Sequence, residues 1–248
     1  MKNTKETKNK TVGELIYGIH PIIECLKAKR RKVISIYTTK PEPKAWDQIQ
    51  AVWPKYQVPI QYVNRDVLTR MAGTTDHQGF VAWVQTFGFR KQFFDPKKSP
   101  FLIMLDGIQD PRNVGAIIRS AYCTNADGVI MIKKDSAPLN SAAIKASAGL
   151  AEHIEIYLSP SPQAAMIELK KAGYTVYLAT FQGENAAACT FKETLCLVIG
   201  SEGMGVSREI LKDGINITLP QKNKEISYNA SVAAGILMFL VATKAKKI

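Results

Sequence analysis

The sequence predicts an α/β protein in two parts, a small N-terminal α/β domain and a larger C-terminal one built on a parallel sheet. Short apolar runs at 33–37, 59–63 and 79–85, and again at 101–105, 129–132, 154–157, 175–179, 195–199 and 215–219, have the length of buried strands. Most are separated by stretches with helical spacing, which is the signature of βαβ units. The segment 87–100, FGFRKQFFDPKKSP, interrupts the alternation with Gly, Pro and charge and marks a boundary. A length of 248 residues, 46% hydrophobic and 22% charged, supports cores of this size and excludes a disordered, collagenous or disulfide-stapled chain.

Taken in order, residues 1–14 lack any apolar stretch and read as a disordered basic tail, not a signal peptide. Residues 15–86 form the first domain. IHPIIECLKAK at 19–29 has a proline suited to a first helical turn and apolar residues at helical spacing. A strand at 33–37, a helix at 44–56, a strand at 59–63, a short helix at 65–71 and a strand at 79–85 complete it. Residues 87–100 are the linker, and 101–248 the second domain. Its last helix, 228–244, is apolar on nearly every face until its lysines, so it is expected in the core or in a subunit interface. The longest apolar run, 232–242, is far short of the ~20 residues of a membrane span, and the chain is expected to be soluble and cytoplasmic.

The formal net charge of +12 is uneven. Residues 1–32 carry +6, 33–100 carry +4, 101–243 carry −1, and the last five residues add three lysines. A basic block ahead of a near-neutral one suggests recognition of a polyanion held partly apart from the remaining machinery; a lysine-rich solvated tail is the plain alternative. Cys25, Cys123, Cys189 and Cys196 form no CxxC pair and the three histidines are far apart in sequence, so no metal site is expected, and buried free thiols are the simpler account.

Three segments follow strand ends, where open α/β sheets bind ligands. They are DGIQDPRNVGAIIRSA at 106–121, IGSEGMGVS at 199–207 and LPQKNKEISYNASVAAG at 219–235. Each alone has an ordinary explanation: helix capping and a surface ion pair, a glycine turn, and capping of the last helix. The second lacks the GK[ST] of a P-loop and the GxGxxG order of a dinucleotide site, which argues against an oxidoreductase.

Together and in this order the three segments resemble the SpoU/TrmH family of RNA ribose 2′-O-methyltransferases, in the SPOUT superfamily. The matching residues are DxxxDPxNVGAIxRSA at 106–121, GSEGxG at 200–205 and SxNxSVAAGI at 227–236. YGIHPIIECL at 17–26 and HQGFVA at 77–82 resemble the N-terminal substrate-binding domain of the family's two-domain form. The resemblance implies an L30e-like first domain, a SPOUT domain with a deep trefoil knot, a homodimer joined through the knot region, and S-adenosylmethionine as cofactor. It implies backbone contacts to the cofactor at Gly200, Leu219 and Tyr228, with Ile199, Thr180 and Ala230 lining the pocket. Asn113, Arg119, Glu202, Ser227 and Asn229 would form the catalytic cluster. The chain departs from the family at 221–225, where many members carry Pro-Met-x-Gly before the serine, and at Tyr228, where leucine is common.

Methylating a ribose hydroxyl requires alignment of a weakly acidic oxygen with a sulfonium methyl carbon and removal of a proton. A guanidinium stays protonated, so Arg119 reads as a clamp for an RNA phosphate and for developing alkoxide charge, with the phosphate or Glu202 as proton acceptor. The 2′-hydroxyl distinguishes RNA from DNA, so the expected substrate is RNA, with a guanosine of 23S ribosomal RNA first and tRNA second. A non-catalytic RNA-binding protein is the rival from another class. Lys29, Arg30, Arg31 and Lys32, at the end of the first helix, and Arg112, within the first motif, are the expected RNA contacts. Favourable placement at a helix C-terminus is the alternative for the first four. Phe87, Phe89, Phe93 and Phe94 could stack bases, but packing within the protein is the preferred reading, and His77 is expected to fix a turn.

Overall fold

A computed structural model describes residues 13–222 and 227–248, which fall into two compact units meeting at Gly88 and Phe89. The first unit contains β1 (Gly13–Tyr17), α1 (Ile19–Ala28), β2 (Val33–Thr38), α2 (Trp46–Gln50), β3 (Ile60–Tyr62), α3 (Arg65–Ala72) and β4 (Phe80–Gln85). The sheet order is β1-β4-β2-β3. β4 pairs antiparallel with β1 and β2, and β3 adds to β2 in parallel. Ile16, Ile22, Ile36, Ile49, Leu68 and Phe80 are fully buried and form the core.

Two elements differ from the sequence reading. Of the expected tail, residues 1–12 lie outside the described residues, but Gly13 and Glu14 belong to β1, where Gly13 stands opposite Gln85. The strand is held by partners seventy residues away, which no local pattern announces. The helix expected over 44–56 ends at Gln50 and continues only as turns. Trp53 precedes Pro54, and a proline disfavours helical backbone in the residue before it.

The second unit contains β5 (Phe101–Asp106), α4 (Pro111–Cys123), β6 (Gly128–Ile132), α5 (Ser141–Ala146), β7 (Glu155–Ser159), α6 (Pro162–Ala172), β8 (Thr175–Asn185), β9 (Leu195–Gly200), β10 (Ile215–Thr218) and α7 (Ala230–Lys244). Its six strands are all parallel, in the order β10-β8-β9-β5-β6-β7. β5 and β6 are buried along their whole length, as expected of continuous apolar runs covered on both faces. From β5 the chain builds outward through β6 and β7, then returns to build β8, β9 and β10 on the other side. The strand order therefore switches direction between β5 and β9, the place where open parallel sheets bind ligands beyond their carboxyl ends.

Local chemistry sets the helix starts. Asp110 caps α4 by accepting from the Arg112 amide at 2.8 Å with Pro111 in the first turn, and Ser161 caps α6 ahead of Pro162. Gly115 lets α4 approach α5, because a Cβ there would lie 2.1 Å from the Ala143 carbonyl oxygen. The aromatics of 87–94 pack within the units: Phe94 is buried against Gly128 and Phe93 lies edge-on to Tyr157 at 5.3 Å in the second, and Phe87 is buried in the first with Arg31 5.3 Å from its ring. His77 is buried, with Nδ1 accepting from the Gly79 amide at 3.0 Å, and so fixes the turn before β4. All four cysteines are free thiols; Cys25, Cys189 and Cys196 are buried, but Cys123 is exposed because it ends α4 at the surface. Among the described residues no helix is long and apolar enough to cross a membrane.

α7 is not covered on every side. Ala234, Leu237, Met238 and Val241 face the interior, toward α4 and β9, whereas Val232, Ile236 and Phe239 are 39–58% exposed. These three lie at i, i+4 and i+7 and form an apolar stripe on the outer face.

Candidate active site

A pocket lies between the middle of β8 at Ala179–Phe181 and the carboxyl ends of β9 and β10, closed on one side by the start of α7. The glycine loop after β9 folds back on itself. Ser201 and Gly205 exchange two backbone hydrogen bonds, at 3.0 and 2.9 Å, and the Ser201 hydroxyl accepts from the Met204 amide at 3.2 Å. Gly205 adopts φ +67°, a left-handed conformation that glycine takes without a Cβ clash. A Cβ at Gly200 would fall 2.1–2.4 Å from backbone atoms of Gly205 and Val206, so the loop closes only because position 200 has no side chain.

The far end of the loop is tied to the sheet by Asp106. Its carboxylate accepts from the Ser207 amide at 2.7 Å and from the Ser207 hydroxyl at 2.8 Å. Burial pushes this carboxyl above its ordinary pKa, and the two Ser207 bonds oppose the rise. The loop is thus held at both ends with Glu202 at its exposed tip. The Asn113 side-chain amide of α4 donates to the Glu202 carboxylate, which joins the first sequence motif to the second.

The six residues expected to hold a cofactor, Thr180, Ile199, Gly200, Leu219, Tyr228 and Ala230, all line this one pocket, as do Glu202 and Ser227. The lining also includes Phe181, Ser201, Gln221 and Ala233, which the sequence reading missed. The rule that ligands sit beyond strand ends could have found Gln221, which follows β10, but not Phe181, which lies within β8. Glu202 carries the one formal charge at neutral pH among the described lining residues, so the pocket suits a cationic ligand. Of the unusual segment 221–225, Gln221 lines the pocket and Lys222 is exposed, while residues 223–225 lie outside the described residues.

The remaining expected residues stand elsewhere. Asn229 caps α7, its side chain accepting from the Ser231 amide at 2.9 Å. Arg119 is exposed on α4 and does not line the pocket; its neighbour Ser120 lies beside Gly235 of α7. Arg112 is exposed and reaches back to Asp110 at 3.4 Å. Lys29, Arg30 and Lys32 are exposed at the end of α1, with Arg30 5.9 Å from the Phe87 ring. Arg31 corrects the RNA-contact expectation: its side chain is only 3% exposed, pairs with Glu14 and donates to the Gln85 carbonyl at 3.1 Å. A guanidinium so buried serves the first unit's own structure and presents no donors to a polyanion.

Comparison with known proteins bears directly on this pocket. The model of the SpoU rRNA methylase family matches residues 100–239, and that of an RNA 2′-O ribose methyltransferase substrate-binding domain matches residues 15–88. Among curated proteins, YacO of Bacillus subtilis, assigned to the TrmH family of tRNA/rRNA methyltransferases, is 33% identical over 93% of this chain and 96% of its own length. The 23S rRNA (guanosine-2′-O-)-methyltransferase RlmB of Pasteurella multocida is 30% identical over 92% and 97%. Two solved structures show the same fold. An RNA 2′-O ribose methyltransferase superposes with a TM-score of 0.84 at 18% identity, covering 99% of this chain and 93% of that one. The SpoU methyltransferase AviRb of Streptomyces viridochromogenes, solved with AdoMet, gives 0.80 at 19% identity, covering 99% and 96%.

Proposed function

The chain belongs to the SpoU rRNA methylase family, and on that premise we propose that it transfers the methyl group of S-adenosylmethionine to a ribose 2′-hydroxyl of RNA, with a guanosine of 23S ribosomal RNA as the target. The observation that carries this reading is the convergence of six expected cofactor residues on one pocket with Glu202 at its rim. The pocket fits the group: glycine backbone that a ligand can approach, apolar walls, and a carboxylate as its formal charge. When bound, the cofactor supplies an electrophilic methyl group on a sulfonium.

The chain's own residues would do the rest. Gly200, Leu219 and Tyr228 hold the cofactor through their backbone, and Thr180, Ile199 and Ala230 wall it in. Asn113 orients Glu202, which accepts the ribose proton, or stabilises its passage to an RNA phosphate. Ser227 at the rim hydrogen-bonds the substrate, and Asn229 fixes the start of α7 beneath it. Arg119 stays protonated and clamps a phosphate. Lys29, Arg30, Lys32 and Arg112 supply phosphate contacts that set register.

The outer stripe of α7 supports a homodimer, since an apolar row of this kind on a surface helix calls for a partner. We further propose that Arg119, exposed on the helix packed against α7, serves the pocket of the second copy. The dimer would form through a knotted C-terminal region, as the family resemblance implies, and the protein would act in the cytoplasm. The experiment that tests the function is mapping of ribose methylation across ribosomal and transfer RNA with and without the gene. Loss of one 2′-O-methylguanosine in 23S rRNA is expected; loss of a tRNA mark would move the substrate to tRNA, and no change in either would overturn the assignment.

A further inference from the structure

The first unit carries an aromatic groove remote in sequence from all three motifs. It is a cavity of about 650 Å³ lined by Trp46, Gln50, Trp53, Pro54, Lys55, Tyr56, Gln57, Val58 and Ile60, of which two rings matter most. Trp53 is half-buried and stands edge-on to Trp46 at 5.7 Å; Trp46 is in turn stacked on the fully buried Phe80 at 6.1 Å. Tyr56 is 37% exposed, yet its position is fixed because its hydroxyl accepts from the Val33 amide at 2.9 Å. Both rings are therefore held in place before any ligand arrives, which reduces the ordering cost of binding.

Charge at the groove has one sign of use. The Lys32 ammonium sits 5.8 Å from the Tyr56 ring centre, and exposed Lys55 lies between the two rings in sequence. Residues 13–88 as a whole carry a net charge of +4. Gln50 and Gln57, both exposed, add amides that can donate and accept at a base edge. Aromatic faces interleaved with cations are what a single-stranded nucleic acid needs, the rings for bases and the cations for phosphates.

We infer that Trp53 and Tyr56 form a stacking platform for an unpaired base of the RNA substrate, a recognition site separate from the methyl-transfer pocket. This rests on the reading that the protein acts on RNA, and it adds that the first unit selects single-stranded over paired RNA. An aromatic cluster that merely anchors the segment after α2 would leave RNA affinity indifferent to the rings.

The test uses the full chain with two probes, a short oligouridylate and a fully paired RNA duplex of equal length. Trp53→Leu and Tyr56→Leu should each weaken oligouridylate binding about tenfold, as expected for loss of one stacked base. The slope of log affinity against log salt should stay unchanged, because that slope counts phosphate contacts. Duplex affinity should not move. Trp53→Phe, which keeps a ring, should retain most of the binding, and oligouridylate should quench tryptophan fluorescence in the wild type more than in Trp53→Leu. Single-strand affinity within twofold of wild type in both leucine variants would overturn the inference and leave the groove to a protein partner. Equal losses for strand and duplex, or failure of Trp53→Phe to rescue, would also overturn it. S-adenosylmethionine binding, measured in parallel, separates this from the function itself: its absence in the wild type would refute the enzyme reading whatever the groove does.

Discussion

Substitution of Gly200 by alanine puts the proposed cofactor site under direct test. The added Cβ would lie 2.1 Å from the Gly205 carbonyl carbon, 2.2 Å from the Val206 nitrogen and 2.4 Å from the Gly205 oxygen. Ordinary contact requires roughly 3.4 Å or more, so the loop backbone must retreat by about an ångström. No flexible side chain can absorb the overlap, since every obstructing atom is main chain. Retreat breaks the paired Ser201–Gly205 hydrogen bonds, each worth about 0.5–1.5 kcal/mol, and matches the ~1–3 kcal/mol typical of overpacking. S-adenosylmethionine affinity measured by calorimetry should fall at least about tenfold, which corresponds to 1.4 kcal/mol. Gly203, three residues along the same loop, is the control. A Cβ there meets nothing within 4 Å, so Gly203→Ala should bind the cofactor like wild type and melt within about 0.5 kcal/mol of it. Equal affinities for the two variants would refute the geometry assigned to the loop.

Other perturbations follow from the same contacts. Arg31→Met should destabilise the first unit by about 3 kcal/mol in urea unfolding, because it strands Glu14 without its buried partner; Lys32→Ala should leave stability unchanged and weaken RNA binding. Ile236→Asp should convert the proposed dimer to a monomer by analytical ultracentrifugation, and an unchanged sedimentation coefficient would dismiss the α7 interface. Mixing Arg119→Ala protein with Gly200→Ala protein should restore methyl transfer in mixed dimers, since each then retains one intact site; persistent inactivity would place Arg119 in its own subunit's chemistry. For Asp106, burial raises the folded pKa above the usual 3.8, so the native state holds more protons across that window and wild-type stability falls as pH rises through it. Asp106→Asn removes this contribution, and its stability relative to wild type should therefore increase with pH from about pH 4 upward in denaturant titrations.

The strands were legible because parallel strands covered on both faces need continuous apolar runs, and 101–105, 129–132 and 195–199 have them. The pocket residues were legible by resemblance alone; no periodicity connects Thr180 with Tyr228. Three things were hidden. β1 depends on pairing with β4 and on Glu14 meeting Arg31, contacts between distant positions. Arg31 has the same local sequence as its exposed neighbours, and only the fold decides that this one of four adjacent cations turns inward. Phe181 sits where β8 continues past its first five residues, because β10 shifts register between Asn216 and Ile217 and pairs next with Glu184. That jog makes the wall of the pocket, and alternation along a single strand does not encode it.

The pocket is also built late. Every described residue lining it falls within Ala179–Leu237, whereas β5 and β6 are complete by Ile132. On a ribosome adding about 5–20 residues per second, the last pocket residue appears roughly 5–21 s after Ile132. During that interval the nascent chain can fold much of its core, yet the pocket stays open on one side until α7 docks. A chain arrested before α7 would retain its strands but lack one side of the pocket.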